Sequence, residues 1–466
     1  MSVVDADPRH DLRATLNLLA ILAGAVLLLW PAFANGYPIL FTDTHAFLVQ
    51  AGQPRMVWDK PTIYGPFLLA LHGRTTLWLP AVAQALLLSH LLWLTAKAFA
   101  PPRPGRHLAL CALLAAGSAA PWFVALLMPD ITAPMAVLCI FQLGFGERLR
   151  RLERHWAAAV GGFCVASHLS LLIVAAACLA LVLASRPRRA VAAATPLLAA
   201  LGLLLLTNLV GFGIAGISPY GSVFLLARLA SDGPVRDVLA ADCPGAGWRM
   251  CDWVGRLPQN SDDFLWNSAG PVWTTPGGPP ALAPEASAIV LRTIAREPVA
   301  VARAMLENTL RQLVMIRLGD TLRPDGLDQS VVGSLRAYFP AVELTRFDAS
   351  LQARGELAAV AAPFAPVHAA LLVLGALATP VVLVLALRRR DTTLAGLAAL
   401  VLVAMLSNAF ATGALSGPHD RYQARIAWLL LLPPVFAVGR LRSARAPRPR
   451  RVACAPASRN RAAASR

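Results

Sequence analysis

Negative charge is scarce in this chain: 25 aspartates and glutamates stand against 42 lysines and arginines, for a formal charge of +17. An excess of that kind can mark a nucleic-acid partner, but its placement here excludes one. The basic residues sit in short loops beside apolar runs and in the C-terminal tail, the distribution of the positive-inside rule. Cysteine is sparse as well. Of the seven, Cys111, Cys139, Cys164 and Cys178 fall in apolar runs as small buried residues, and Cys454 lies in the tail. That leaves Cys243 and Cys251, flanked by Pro244, Gly245 and Gly247. No second Cys or His pair is close, so a metal site is disfavoured. A disulfide closing a short loop in an oxidising compartment is expected instead. The first apolar run lacks a small-residue cleavage site, so it reads as a retained helix rather than a signal peptide. No internal repeat is visible, which argues against a transporter.

What the chain has in excess is apolar surface. It is 57% hydrophobic, where soluble domains carry about 45–50%. The apolar residues come in runs of roughly 20, the length a helix needs to cross a hydrocarbon layer of ~30 Å. Lipid cannot satisfy free backbone groups, so such runs must be helical. Crossings are expected near 14–34, 77–96, 107–127, 131–146, 190–212, 367–387, 393–412 and 425–439. The run 156–184 has basic residues at both ends: Arg154 on one side, Arg186, Arg188 and Arg189 on the other. Two short helices meeting near Ser167-His168-Leu169-Ser170 put both ends on the cytoplasmic side, and those polar residues then face protein or water. The expected fold is an all-α polytopic membrane protein of about ten transmembrane helices, with both termini cytoplasmic. Residues 1–212 form an N-terminal transmembrane module, and 213–366 a mainly helical extracytoplasmic domain. Residues 367–442 hold the last helices, and 443–466 a disordered basic tail against anionic headgroups. The 213–366 segment is near neutral, with thirteen arginines against fifteen acids. Within it, 284–315 reads as two amphipathic helices broken at Pro298 and lying along the membrane surface. Trp253, Trp266 and Trp273 supply aromatic surface there, as core or interface anchors or as sugar platforms.

The side chains suited to chemistry gather, by this topology, on the extracytoplasmic face. Asp43 follows the first helix, in Phe41-Thr42-Asp43-Thr44. A carboxylate there can act as a base towards a hydroxyl or hold a cation, or it can cap a local helix. Asp130, in Met128-Pro129-Asp130, opens the fourth helix, and His168 sits at the hairpin tip. The loop 416–425 carries His419, Arg421, Tyr422 and Arg425 before the last helix. Its guanidinium forks and imidazole suit a phosphate, or form an interfacial cluster with Arg421 paired to Asp420 or Asp43.

This order of motifs resembles the type-C integral-membrane glycosyltransferases, in particular the bacterial subfamily related to lipid A aminoarabinose transferase and to protein mannosyltransferases. The matching features are Asp43 in the first outer loop, Pro129-Asp130, the hairpin tip at His168, and Arg421-Tyr422. They span roughly the first 212 residues and the last helices. His168 stands where many relatives have lysine. The first loop lacks a second adjacent acid, which leaves a divalent cation open, and the 213–366 domain has no counterpart. The resemblance implies an inverting transferase of a bacterial inner membrane that moves a sugar from a polyprenyl-phosphate donor to a glycan, lipid or protein acceptor. It implies Asp43 or Asp130 as the base, and Arg421, His419, His168 and Lys60 at the donor phosphate. Tyr37, Tyr64 and Tyr422 would line the substrate pocket. The competing readings are an O-antigen ligase or polymerase-like enzyme, a flippase, and a non-catalytic envelope-assembly protein.

Overall fold

The computed structural model describes residues 8–53 and 56–445. Most of the basic tail, with Cys454, lies outside the described residues. Among these the chain is all-helical, with a single isolated bridge between Ile39 and Leu126 and no strand. Five helical segments are long and apolar enough to cross a membrane: Trp78–Phe99, Pro187–Phe212, Leu357–Arg388, Thr392–Ala414 and Asp420–Arg440. Leu12–Leu28, Pro129–Phe145 and Ser170–Ser185 are apolar but shorter. An all-helical chain of this kind is compatible with a helical membrane protein.

The breaks between segments have local causes. The run expected at 107–127 divides into Pro104–Gly117 and Ala120–Ala125. Pro121 has no N–H to donate and is best accommodated in a helix's first turn, where it stands here. Ser118 bridges the break, donating to the Leu114 carbonyl and accepting from the Ala120 N–H. The first run likewise ends at Leu28 and resumes as Trp30–Asn35, with Pro31 in its first turn. Gly36, at φ +79°, then closes it in the left-handed region. The hairpin forms as Arg151–Ala166 and Ser170–Ser185, turning at 167–169. Pro433 and Pro434 explain why the final segment passes through a 3-10 turn at Trp428–Leu431.

Residues 213–366 do not pack as one body. The part from Tyr220 to Val301 has a core of its own, built on Leu226, Phe264, Val272 and Ile289. The part from Leu322 to Ala361 joins the main apolar core of the bundle. There it pins the first loop. Tyr37 Oη donates to Glu343 at 2.7 Å, and the Leu77 N–H donates to the same carboxylate at 3.1 Å. The Gln352 amide donates to the Leu40 carbonyl at 2.7 Å and accepts the Leu40 N–H at 3.0 Å. These buried polar groups satisfy one another and fix the backbone just ahead of Asp43.

Cys243 and Cys251 are joined by a disulfide. Replacing both by serine is expected to lower the stability of the 220–301 body by about 2–3 kcal/mol, the loop-closure value for so short a ring. An unfolding midpoint in detergent, compared with wild type under non-reducing conditions, measures it.

The helix Pro298–Val314 is turned inside out. It exposes Val299, Leu306, Leu310 and Val314, and buries Asn308, Thr309 and Gln312. Its polar face packs on the π-helical turn Phe410–Ala414, where Gly413 allows the approach. A Cβ on Gly413 would lie 2.6 Å from the Asn308 carbonyl oxygen.

Candidate functional site

Stretches far apart in sequence meet around one cavity of about 830 Å³. Asp43 comes from the turn before the helix Thr44–Gly52. Although it occupies the N-cap position, its side chain caps nothing. The first N–H groups of that helix go to the Phe41, Thr42 and Asp43 carbonyls, and Thr44 ties the turn down by accepting the Phe41 N–H and donating to the Leu127 carbonyl. The Asp43 carboxylate is therefore free to turn into the cavity. It meets Lys60 Nζ at 3.2 Å and Arg421 Nη2 at 3.5 Å. Lys60, one of only two lysines in the chain, is also held by Asp59 at 2.5 Å.

Arg421 stands on the first turn of the helix Asp420–Ala427. Its guanidinium carbon lies 4.3 Å from the centre of the Phe41 ring and 5.0 Å from that of Tyr422. It is 7% exposed, yet Nε and Nη1 have no hydrogen-bond partner. A planar cation held between aromatic rings, with Nη2 turned towards Asp43 on the cavity wall, is suited to an anion. Behind it lies Asp130, 1% exposed. Its Oδ1 is 3.8 Å from Arg421 Nε and 3.5 Å from Arg425 Nη1. Arg425 is anchored in turn by Ser170 and Asn408, each at 3.0 Å.

His168 lines the cavity from the hairpin turn, with Nδ1 2.8 Å from Ser170 Oγ. His419 lines it too, with Nε2 3.6 Å from Asp262. Its backbone is clamped by Gln312, which donates to the His419 carbonyl at 2.7 Å and accepts its N–H at 2.9 Å. Because Gln312 rides on the helix that Gly413 admits, Gly413→Ala is expected to loosen this clamp. The expected cost is about 1–3 kcal/mol. A lower unfolding midpoint, with weaker binding of inorganic phosphate, would register it.

The electrostatics follow from these distances. Burial alone would raise the Asp43 carboxyl, but Lys60, and after it Arg421, hold it below the ordinary carboxylate value. Burial works against the Lys60 ammonium, and Asp43 and Asp59 outweigh that and hold its proton more tightly than usual. Asp320, which accepts the Arg421 N–H at 3.4 Å, is raised by burial despite that arginine.

Comparison with protein-family models, curated proteins and solved structures finds no match.

Of the residues singled out in the sequence, Asp43, Lys60, His168, His419, Arg421 and Tyr422 line the cavity. Three others do not. Asp130 is sealed behind the two arginines, so it orients them and has no path to a hydroxyl in the cavity. Tyr37 is fully buried and spent on Glu343. Tyr64 is fully buried against Gln84, 2.5 Å away. Both tyrosines belong to the scaffold. Among the described residues no group of three or more His, Cys, Asp or Glu converges as a metal site. Asp43 is surrounded by cations, a donor set that favours an anion over a divalent cation. Sequence reasoning missed Asp59, Asp262 and Asp320 as cavity residues, and Trp266, read there as an anchor or a sugar platform, lines the cavity too. Arg425 was legible, since it lies one helical turn past Arg421 and so on the same face.

Proposed function

We propose that this chain is a polytopic glycosyltransferase of a bacterial inner membrane. It crosses about ten times, and its cavity opens at the extracytoplasmic face. It moves a sugar from a polyprenyl-phosphate donor to an acceptor hydroxyl, inverting the anomeric centre. The observation that carries the reading is Asp43 within 3.2–3.5 Å of Lys60 and Arg421 on a cavity wall. A carboxylate beside two cations supplies a base next to a phosphate site. The cavity also has apolar lining, from Phe41, Met128, Leu169, Ile173 and Leu415, suited to the first part of a lipid tail. The outward apolar face of Pro298–Val314 is suited to lying against lipid beside it.

In this mechanism the donor phosphate engages Arg421, Lys60 and His419. Asp43 takes the acceptor proton as the acceptor oxygen bonds to the anomeric carbon. The bond from that carbon to the phosphate oxygen breaks, and its electron pair leaves with polyprenyl phosphate. The departing charge is met by the same cations, whose donors are already in place. Protein reconstituted in vesicles and offered polyprenyl-phosphoryl sugars is expected to release polyprenyl phosphate. A well-folded preparation that neither binds polyprenyl phosphate nor releases it would end this reading.

A further inference from the structure

The cavity has an aromatic wall that the transfer step leaves unused. Trp266 ends the helix Ser261–Trp266 and lines the cavity together with Phe224. The residue is 45% exposed. Three contacts keep it in place. Trp58 lies 5.8 Å from it and 5.3 Å from Phe224, and Phe224 meets Trp266 edge-on at 6.1 Å. The helix itself is capped at one end by Asn260, which accepts the Asp263 N–H at 2.7 Å. At the other end the Trp273 indole donates to the Leu265 carbonyl at 2.8 Å. An indole packed against Trp58 and Phe224 yet still exposed on a cavity wall is a surface for a ligand rather than a core residue.

Its neighbours say which ligand. Lys60 Nζ lies 5.7 Å from the centre of the Trp266 ring and 3.2 Å from Asp43. One ammonium thus joins the phosphate site to the aromatic wall. Asp59 and Asp262 line the same cavity and can accept from hydroxyls. A pyranose offers an apolar C–H face with hydroxyls around its rim, and matches a flat ring flanked by carboxylates.

We propose that Trp266 is the platform for the donor's sugar ring, with Asp262 accepting from its hydroxyls. The inference rests on the transferase reading, because Lys60 at the donor phosphate is what puts the attached sugar beside this ring. The test uses full-length protein in vesicles and two probes: polyprenyl phosphate, and the same lipid carrying glucose. Wild type is expected to bind both. Trp266→Ala is expected to weaken the glucosyl lipid about five- to tenfold and leave the sugarless lipid unchanged. Trp266→Phe, which keeps a ring, is expected to restore most of the difference. Equal affinities for the glucosyl lipid in wild type and Trp266→Ala overturn the platform and leave the transferase reading standing. An equal loss for both lipids also overturns it, assigning the ring to the tail or to the fold. Failure of wild type to bind the sugarless lipid overturns the transferase reading, and the platform with it.

Discussion

Asp43→Asn is expected to lower sugar transfer by about 10²- to 10⁴-fold, the range for loss of a positioned base, while leaving the fold intact. The substitution is close to isosteric, and the cations it abandons keep other partners. Lys60 retains Asp59 at 2.5 Å, and Arg421 retains Asp130 and the loop at Asp320. The same variant is expected to bind polyprenyl phosphate more tightly than wild type. In the free protein Asp43 competes for the two cations that the phosphate needs, and asparagine competes less. Tighter binding with lost turnover separates a base from a binding residue. Full transfer activity at normal protein levels would remove Asp43 from the reaction.

The pH dependence carries the same argument further. With its pKa held down by Lys60 and Arg421, Asp43 in the free protein loses its charge only on the acid side of the ordinary carboxylate range. The acid limb of kcat/KM, which reports the free enzyme, is therefore expected at lower pH than an unperturbed carboxylate would give. Bound phosphate draws on the same two cations and adds its own negative charge, both of which favour the protonated carboxyl. The acid limb of kcat is then expected at higher pH than that of kcat/KM. Coincident limbs would show that donor binding leaves Asp43 unperturbed.

Arg421→Ala is expected to weaken polyprenyl phosphate binding by about 10- to 100-fold, as charge-assisted hydrogen bonds of about 1.5–3 kcal/mol are lost. It is also expected to destabilise the protein. Removing one partner of a buried pair costs about 3–5 kcal/mol, and Asp130, 1% exposed, would be left with Arg425 alone. Arg421→Lys separates the two effects. An ammonium keeps the charge facing Asp130 and Asp43, so most of the stability should return. It cannot reproduce the planar fork stacked on Phe41 and Tyr422, so binding should recover only in part. Unfolding midpoints and lipid affinities measured side by side decide it. Wild-type affinity in Arg421→Ala would exclude this arginine from the donor site.

Much of the helical framework was legible because lipid length and backbone hydrogen bonding leave long apolar runs little choice. The turn at 167–169 was legible for a related reason, since one rigid helix cannot return both basic ends to the same side. The breaks at Leu29 and Ser118 were not read. They depend on how Pro31 and Pro121 settle into new first turns, which hydropathy does not register. The division of 213–366 was hidden because residues 322–361 are not distinctive alone. What assigns them to the bundle is their fit against Leu40, Tyr37 and Leu77.

The sequence by itself determined that this chain is built of apolar helices and that Asp43, His168, His419 and Arg421 stand at the ends of such helices. Those facts are local, fixed by run length and by which residues flank each run. Only the tertiary structure decided which carboxylate reaches the cavity. Asp43 and Asp130 look alike in sequence, each an acid at a helix start. They part because backbone carbonyls satisfy the N–H groups at one turn and leave its carboxylate free, while Arg421 and Arg425 close over the other. The tyrosines show the same limit: the partner of Tyr37 lies 306 residues away, and nothing in the residues around Tyr37 indicates it. A burial or an ion pair belongs to two stretches of chain at once, so it exists only when the packing brings them together.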